Sequence, residues 1–188
     1  HIVTATGAIE RPLSFAGNDI PGVMLASAVR DYVTNFGVSP GDRTVVVTNN
    51  DNAYLTAIAL KHAGLDVPAI LDARVLPTDS ALMAQAKALG IRVLMGHGVS
   101  TVMGSILETI PCDVVAMSGG WSPVVHLWSH CGGKLTWDTA QAAFKPDVDK
   151  APTGADGKAF VTSAGSASGA LLLADVLSDA DAAGQAAA

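Results

Sequence analysis

The sequence is poor in charged residues, in aromatic residues and in cysteine. Charged residues make up 15% of its 188 residues and aromatic residues 5%, and the formal net charge is −6. Lys and Arg form no cluster, so the chain lacks the electrostatic footprint of a nucleic-acid or anionic-membrane partner. Every apolar run is shorter than the roughly 20 residues that a membrane-spanning helix needs. These shortages exclude nucleic-acid-binding and membrane-spanning proteins as the class of this chain.

The two cysteines, Cys112 and Cys131, are too far apart in the sequence for a C-x-x-C redox pair or a zinc set. Reduced thiols and the lack of a signal-peptide pattern predict a cytoplasmic protein. The chain starts without methionine, inside a segment that is typical of a buried strand, and it ends in an Ala-rich helix over 179–188. We therefore expect a fragment or a processed piece of a longer protein.

A repeated strand–helix pattern occupies the middle of the chain. Strands are predicted at 43–48, 67–71, 91–95 and 113–118, and helices at 53–63 and 80–89. The β-branched run at 43–48 has no alternation, which is typical of a strand buried on both faces. Gly64 and Gly90 follow the two helices as C-caps. This order implies parallel strands with right-handed crossovers, so we predict an α/β fold with a parallel, Rossmann-like, three-layer domain.

The segments on either side of this pattern do not form a closed unit by themselves. Residues 1–20 and 119–188 are rich in Gly, Pro, Trp and His, with one clear helix near the end. We expect them to be two parts of another nucleotide-binding domain, into which the Rossmann-like domain (21–118) is inserted. The strand before the insertion and the strands after it would then share one sheet.

The first strand of the pattern is followed by a degenerate dinucleotide fingerprint. The motif G-x-G-x-x-G/A falls on Thr48, Asn50 and Ala53. Ala is allowed at the third position, but Thr and Asn replace the glycines that permit a tight turn and a close approach of pyrophosphate. The N-terminus of the next helix still offers free N–H groups and a positive dipole end to a phosphate. Asn49, Asn50, Asp51 and Asn52 are therefore predicted to contact a dinucleotide.

An acidic residue stands at the end of the second predicted strand. Asp72 lies 19 residues beyond Ala53, where an acid accepts the adenosine ribose hydroxyls in dinucleotide-binding domains. Such an acid disfavours the 2′-phosphate of NADP, whereas Arg74 close by could accept it. NAD is thus the predicted ligand, with Asp72 and Arg74 as contacts. The alternative is that Asp72 only caps a turn and that the Rossmann layer is empty.

Several long segments carry a more specific pattern than these single positions do. They are 5–12 (A-T-G-A-I-E-R-P), 15–24, 48–54, 72–74 and 118–127. Together they resemble the α subunits of heterotetrameric sarcosine oxidase, over essentially the whole chain. More distant similarity is to two-domain disulfide reductases and to cyanide synthase and opine or proline dehydrogenase subunits.

The resemblance implies that the parent is a large complex, which oxidises sarcosine to glycine, passes formaldehyde to tetrahydrofolate and reduces oxygen to peroxide. It also implies FAD on a β subunit, FMN at the α/β boundary, NAD in the α subunit, and β, γ and δ subunits as partners. The family's N-terminal glycine-rich unit and its folate-binding part are not in this sequence. We therefore expect the isolated chain to be inactive.

The same resemblance assigns two further segments to the first nucleotide domain. Ala5–Gly7 corresponds to the exit strand of that domain, so Thr6 and Gly7 are predicted near a cofactor. Gly165–Gly169 resembles the later G-D motif, whose Asp holds the flavin ribityl chain. Gly165 and Ser166 are therefore candidate cofactor contacts. Because Ser166 stands where that Asp would be, the segment argues against ordinary FAD binding.

Three histidines are candidates for binding a metal ion or another ligand. His126 and His130 have the i, i+4 spacing of helical zinc ligands, but the Glu of H-E-x-x-H is missing between them. Gly132 and Gly133 follow at once and predict a loop or an extended segment, so we expect no metal site. His97 lies in a loop after the third strand, where it could contact a ligand or remain solvated.

The tryptophans are concentrated in one part of the chain. Trp121, Trp128 and Trp137 occur within a short stretch, with Phe144 nearby. They are either a surface for a missing domain or a partner protein, or an ordinary core anchored by bulky rings. The sequence does not separate the two interpretations.

We therefore interpret the chain as a nucleotide-binding and assembly segment of a sarcosine-oxidase-type α subunit, without catalytic residues of its own. One alternative is an NAD(P)H-dependent flavin or disulfide reductase domain, which would need a cysteine pair or flavin-binding glycines. The other is a structural interaction domain with a vestigial Rossmann unit, which Asn50 in place of the second glycine favours.

Overall fold

A computed structural model describes residues 1–75, 80–100 and 108–187 of the chain. The chain divides into two compact units. Glu10–Gly120 forms the first, which we call the central unit. His1–Ile9 together with Trp121–Ala188 forms the second, which we call the flanking unit.

The described residues form short strands, five α-helices and two short 3₁₀ helices. The strands are β1 (Ile2–Thr4), β2 (Ala8–Glu10), β3 (Val23–Leu25), β4 (Thr44–Thr48), β5 (Ala69–Asp72), β6 (Arg92–Met95), β7 (Val114–Ser118), β8 (Trp121–Pro123), β9 (Leu135–Asp138), β10 (Ala143–Pro146) and β11 (Val161–Ser163). The helices are α1 (Ala26–Phe36), α2 (Asn52–His62), α3 (Ala81–Ala88), α4 (His126–His130) and α5 (Leu173–Ala187). None of these helices combines the length and the apolar character needed to cross a membrane.

A five-stranded sheet organises the central unit. Its strand order is β3-β7-β4-β5-β6, and every neighbouring pair is parallel. β4 has all five residues buried, as its unbroken β-branched run predicts. The chain proceeds outward from β4 to β5 and β6, and then returns to the other side of β4 with β7. The predicted parallel α/β fold is confirmed.

One face of this sheet packs against the helices α1, α2 and α3. Val46 and Ile70 of the sheet share a core with Tyr54 and Leu60 of α2, and all four are fully buried. The opposite face turns Val45 and other apolar side chains toward a cavity of about 720 Å³. The described residues on that side, from 96–100 and 108–112, form no helix, so the third layer of the prediction is not seen within them.

The predicted helices of the central unit are confirmed within one or two residues. α2 ends at His62, and Gly64 follows with a φ of +81°. α3 begins after Ser80, whose hydroxyl accepts a hydrogen bond from the Met83 N–H and so caps the helix. The end of α2 and the start of α3 thus each coincide with a residue that favours a helix terminus.

The sequence interpretation missed β3 and α1. Leu25, at the N-cap position of α1, makes no capping hydrogen bond. The cap comes from Glu10 instead, whose Oε2 accepts hydrogen bonds from the N–H of Ser27 at 2.9 Å and from its hydroxyl at 2.6 Å. Because Glu10 is 17 residues earlier in the sequence, no local pattern marks the start of this helix.

The central unit starts at Glu10, eleven residues before the predicted boundary at residue 21. The N–H of Arg11 donates to the carbonyl of Gly120 at 2.8 Å, and the N–H of Gly119 donates to the carbonyl of Arg11 at 2.7 Å. A Cβ on Gly119 would lie 2.8 Å from the carbonyl oxygen of Pro12, so only glycine permits this crossing. The A-T-G-A-I-E-R-P segment is thus tied to the residues that follow β7.

The flanking unit contains three separate strand pairs rather than the single predicted sheet. β1 pairs with β11 in parallel, β2 pairs with β8, and β9 pairs with β10 in antiparallel. Gly7 has a φ of +76°, so the chain turns between β1 and β2 and they cannot form one continuous strand. α5 begins at Leu173, six residues before the predicted Ala-rich segment.

Candidate functional site

The carboxyl ends of three neighbouring strands bring polar residues together in the central unit. Thr48 at the end of β4 is paired in register with Asp72 of β5 and with Ser118 of β7. Because the chain order reverses between β4 and β7, this edge is the topological switch point, where open α/β sheets bind ligands. We call these residues and the loops that follow them the sheet-edge site.

The loop that replaces the glycine fingerprint is held by its own side chains. The Thr48 hydroxyl donates to the carbonyl of Asn50 and accepts from the N–H of Asn50, both at 3.0 Å. The side-chain oxygen of Asn50 accepts from the N–H of Asn52 at 3.1 Å, at the start of α2. Thr and Asn therefore build, with hydrogen bonds, the turn that glycines form with their freedom in φ and ψ.

The side-chain amide of Asn50 also closes the switch point. Its Nδ2 donates to Ser118 Oγ at 3.0 Å and lies 3.2 Å from the Ser118 carbonyl oxygen. A glycine at this position would leave that space open to a pyrophosphate. Asn50, which departs from the fingerprint, thus links the end of β4 to the end of β7 through its contact with Ser118.

Asp72 is buried and has both carboxylate oxygens engaged. Its side chain is 0% exposed, and the Tyr54 hydroxyl donates to Oδ2 at 2.8 Å. Arg74 donates from Nε to Oδ1 at 2.9 Å and from Nη2 to Oδ2 at 2.6 Å. Burial alone would raise the pKa of Asp72, but the hydrogen bonds from Arg74 and Tyr54 hold it below its usual range. Asp72 is therefore an ionised acid enclosed by partners.

Arg74 joins this buried acid to the loop after β4. Its Nη2 also lies 2.7 Å from Oδ1 of Asp51, so one guanidinium bridges two carboxylates. The hydrogen bond to Asp72 raises the pKa of Arg74, which stays charged. Burial raises the pKa of Tyr54, and the neighbouring Asp72 raises it further. Tyr54, which sequence reasoning missed, is a fully buried phenol in the first turn of α2.

The six residues predicted in this region are thus brought together, but they differ in accessibility. Asn49 is exposed, whereas Asn50, Asp51, Asn52 and Arg74 are partly buried and Asp72 is fully buried. Asn49 is thus the most accessible of the six, and Arg74 keeps 24% of its side chain exposed. Asp72 would reach a ligand only by losing Tyr54 or Arg74 as a partner. Its predicted contact with a ribose stays a prediction.

The other four predicted contacts belong to the flanking unit. The Thr6 hydroxyl donates to the carbonyl of Val124 at 2.7 Å, and the Gly7 carbonyl accepts from the N–H of Val124. The N–H of Gly165 donates to Oδ2 of Asp179 at 2.6 Å. Ser166 is partly buried in the same short 3₁₀ turn, Gly165–Ala167.

Asp179, which sequence reasoning missed, accepts hydrogen bonds from this turn. Besides Gly165, it accepts a hydrogen bond from the Ser168 hydroxyl at 2.8 Å. The carboxylate of α5 thus takes the backbone N–H of the turn, while Ser166 offers no carboxylate of its own. This turn does not fit a flavin whose ribityl chain is held by an acid at position 166.

The histidine segment is helical, which corrects the prediction of a loop or an extended segment. His126 and His130 are the first and last residues of α4, and both are exposed. The segment can be helical because the glycines come only after its end, where Gly132 takes a φ of +93°. Over 1–75, 80–100 and 108–187, no group of three His, Cys, Asp or Glu residues is arranged to hold a metal ion.

The remaining ligand candidates have ordinary surroundings. His97 has its Nδ1 2.7 Å from the carbonyl oxygen of Met95 and lines the cavity of the central unit. Cys112 and Cys131 are both exposed and neither forms a disulfide. Partial burial of its thiol and the neighbouring Asp113 carboxylate raise the pKa of Cys112, which disfavours the thiolate.

The structure shows which tryptophans are core residues and which are exposed, a question that the sequence left open. Trp128 is buried and donates from Nε1 to the carbonyl of Lys134 at 2.7 Å, as a core residue does. Trp137 and Phe144 form an edge-to-face pair across β9 and β10, with ring centroids 5.0 Å apart. These two rings are 52% and 55% exposed. One tryptophan is thus core and another belongs to an exposed aromatic pair.

Comparisons with known proteins identify close relatives of this chain. No protein-family model matches it. The sarcosine oxidase α subunit of Rhizobium meliloti is 43% identical over 148 residues, which cover 74% of this chain and 15% of that protein. That of Corynebacterium sp. strain P-1 is 42% identical over 168 residues, with 79% and 17% covered. The chain therefore spans 15% to 17% of the length of these relatives.

A more distant relative matches this chain in sequence, and two solved structures match it in fold. One of the opine oxidase subunits of Agrobacterium tumefaciens is 27% identical over 178 residues, covering 79% of this chain and 35% of that protein. An Escherichia coli flavoprotein disulfide reductase matches with a TM-score of 0.66 at 15% identity, over 96% of this chain and 42% of that one. Thioredoxin reductase of T. acidophilum matches with a TM-score of 0.64 at 16% identity, with 96% and 62% covered. At these identities the likeness establishes the fold.

Proposed function

Since the chain belongs to the sarcosine oxidase α-subunit family over the segment that it shares with those proteins, we propose that it carries a dinucleotide, NAD, at its sheet-edge site. In this proposal the chain binds and positions the cofactor and contributes to assembly. It supplies no nucleophile or general base. NAD supplies hydride-transfer chemistry in flavoprotein oxidoreductases, and the residues of this chain only hold it.

The observation that carries the proposal is the N-terminus of α2 at the switch point of a parallel sheet. α2 starts at Asn52, directly after the loop that follows β4. This eleven-residue helix directs the positive end of its dipole toward this edge, although the N–H of Asn52 already donates to Asn50 and that of Tyr54 to the Asp51 carbonyl. Asn49 is exposed there, so a phosphate could approach without displacing a buried group.

The parent reaction is proposed from the same family membership. The parent would be a cytoplasmic oxidoreductase that converts sarcosine to glycine. Its partners would be β, γ and δ subunits. Its FAD would be held by the β subunit and its FMN at the α/β boundary. The turn at Gly165 is not proposed as an FAD site, because Asp179 accepts its backbone N–H. We expect the isolated chain to show no sarcosine oxidation.

Calorimetric titration of the full chain with NAD tests the proposed site. An Asn49→Asp variant adds a negative charge beside the start of α2 and should weaken binding by about tenfold through repulsion of the pyrophosphate. The matched control is Asn35→Asp, which changes an exposed asparagine of α1 in the same unit and should leave binding unchanged. Equal binding by the three proteins would place NAD elsewhere.

A second candidate function, a structural layer without a ligand, is favoured by the Asn50–Ser118 contact. That hydrogen bond fills the crevice where a glycine would admit pyrophosphate. If the layer is vestigial, the chain should not bind NAD up to about 1 mM. An Asn50→Gly variant should then gain binding, because it removes the obstructing amide and restores the second glycine of the fingerprint.

For the flanking unit we propose a place in a second nucleotide domain that other parts of the parent complete. Parallel strands are normally covered on both faces, yet β1 and β11 pair alone and Ile2 and Val3 are exposed. The Trp137–Phe144 pair would then serve the assembly of the complex. A Trp137→Ala variant of the parent α subunit should recover less β subunit on co-purification, whereas Val148→Ala, another exposed apolar position, should not.

A further inference from the structure

The ion pairs of the sheet-edge site bear on which dinucleotide it would take. Resting on the proposed function, we infer that Asp51, rather than the buried Asp72, is the acid that selects a dinucleotide with free ribose hydroxyls over one with a 2′-phosphate. The role usually assigned to the acid at the end of the second strand would thus pass to a residue of the loop after β4.

The first step is that Asp72 has no capacity left for a ligand. Its carboxylate is fully buried, and Tyr54 and Arg74 donate to its two oxygens over distances of 2.6 to 3.2 Å. A ribose hydroxyl would have to displace one of these donors and enter a buried space. Separating a buried carboxylate from its partner is unfavourable, because the charge left behind is poorly solvated. Asp72 therefore acts as a positioning residue for Arg74.

The second step is that Asp51 is the accessible acid of the same network. Its Oδ1 is buried against Nη2 of Arg74 at 2.7 Å, yet its side chain as a whole is 43% exposed. Oδ2 is thus the carboxylate oxygen that can face a ligand. Ribose hydroxyls can donate to such an oxygen, as they do to the acid at the end of the second strand in other NAD-binding domains.

The third step is the charge balance at the site. Arg74 is the residue that sequence reasoning identified as a possible 2′-phosphate partner. Its single positive charge is shared between Asp51 and Asp72, so the three side chains together carry one negative charge in excess. A phosphate group, with nearly two negative charges at neutral pH, would be repelled by Asp51 and would have to compete with both carboxylates for Arg74. A ribose with free hydroxyls meets no such repulsion.

Parallel titrations of the full chain with NAD and with NADP test this assignment. The wild-type chain should bind NAD at least about tenfold more tightly than NADP, and Asp51→Asn should reduce that ratio by about tenfold, because it removes one negative charge and frees Arg74. Asp66→Asn is the matched control. Asp66 also pairs with an arginine, Arg43, at 2.9 Å, and its side chain is 47% exposed. This control should leave the ratio unchanged.

The outcomes distinguish the inference from the function on which it rests. If the wild type binds NAD but the ratio of the two affinities is the same in Asp51→Asn and Asp66→Asn, the assignment of Asp51 is wrong and the NAD site stands. If the wild type binds neither dinucleotide, the site itself is wrong, and the inference falls with it. Thermal unfolding of Asp51→Asn at the wild-type temperature would show that the change in ratio does not come from loss of structure.

Discussion

The central and flanking units differ in how completely they bury their apolar side chains. The central unit encloses Leu60 and Ile70 completely between one sheet and three helices. The flanking unit keeps Trp128 buried, but it leaves Leu173 and Leu177 of α5 largely exposed. Five parallel strands form a wide surface on which three helices pack, whereas two-stranded pairs offer a narrower surface and bury fewer side chains. Both units expose some apolar side chains, but the core cluster of buried residues lies in the central unit.

The distribution of aromatic residues allows the two units to be monitored separately. All three tryptophans, Trp121, Trp128 and Trp137, belong to the flanking unit, and both tyrosines, Tyr32 and Tyr54, belong to the central unit. Tryptophan fluorescence thus reports on the flanking unit, where all of its emitters lie. Backbone hydrogen exchange of peptides from β4 and β5 reports opening of the central unit. The comparison can be tested with both probes on one protein.

The largest difference is expected for apolar truncation. Leu60→Ala removes a fully buried side chain of α2 and should lower the free energy of unfolding of the central unit by about 2–5 kcal/mol. Leu177→Ala removes a side chain that is 61% exposed, and it should change stability by less than about 0.5 kcal/mol. Urea titrations read by hydrogen exchange and by tryptophan fluorescence measure the two effects. Equal losses would show that the flanking unit has a core of comparable quality.

A smaller effect is expected for the buried phenol at the sheet-edge site. Tyr54→Phe leaves the Asp72 carboxylate without one of its donors and should cost about 1–3 kcal/mol. Because folding raises the pKa of Tyr54 above its ordinary value of 10.0, its stabilising contribution is complete below pH 10 and is lost as the pH rises beyond it.

The measurement is the stability of the central unit between neutral and alkaline pH. The wild type should lose stability above about pH 10, and the Tyr54→Phe variant should lose less over the same interval. Tyr32→Phe, at the half-exposed tyrosine of α1, is the control and should behave like the wild type. A Tyr54→Phe protein with an unaltered alkaline profile would show that the hydroxyl has no such role.

The smallest effect is expected in the flanking unit, at the turn after β11. Asp179→Ala removes the acceptor for the Gly165 N–H and the Ser168 hydroxyl, and about 1 kcal/mol should be lost because Asp179 is only partly buried. Tryptophan fluorescence during urea unfolding detects the loss. Asp181→Ala, an exposed acid that contacts Gln185 on the same helix, should have no measurable effect. An effect of equal size at both positions would mean that the charge of α5 matters rather than this contact.

The elements that the sequence predicted are those marked by local signals. β4 follows from an unbroken β-branched run, and α3 from a helical segment that is followed by Gly90. α1 was missed because its cap, Glu10, is distant in the sequence. β9 and β10 were missed because a two-stranded hairpin with exposed rings has no strong alternation of buried and exposed positions. Long-range contacts are the part of the fold that local patterns do not encode.

The candidate site shows the same limit at the level of single side chains. The sequence placed Asp72 correctly at the end of a strand, but the spacing did not indicate that Tyr54 and Arg74 would enclose it. Asn50 was recognised as a departure from the fingerprint, whereas its contact with Ser118 depends on which strand lies next to β4. Residue types can be read along the chain, but their partners are set by the order of the strands.

The crossing of Arg11 with Gly119 and Gly120 makes the central unit a cassette. The chain enters and leaves this unit through backbone groups that hydrogen-bond directly to each other, at 2.7 and 2.8 Å. A segment with adjacent ends can be inserted into a host chain without stretching it, and it can be joined end to end and reopened at another loop. The two glycines thus provide the junction through which evolution, or a circular permutation in the laboratory, could exchange this unit as a whole.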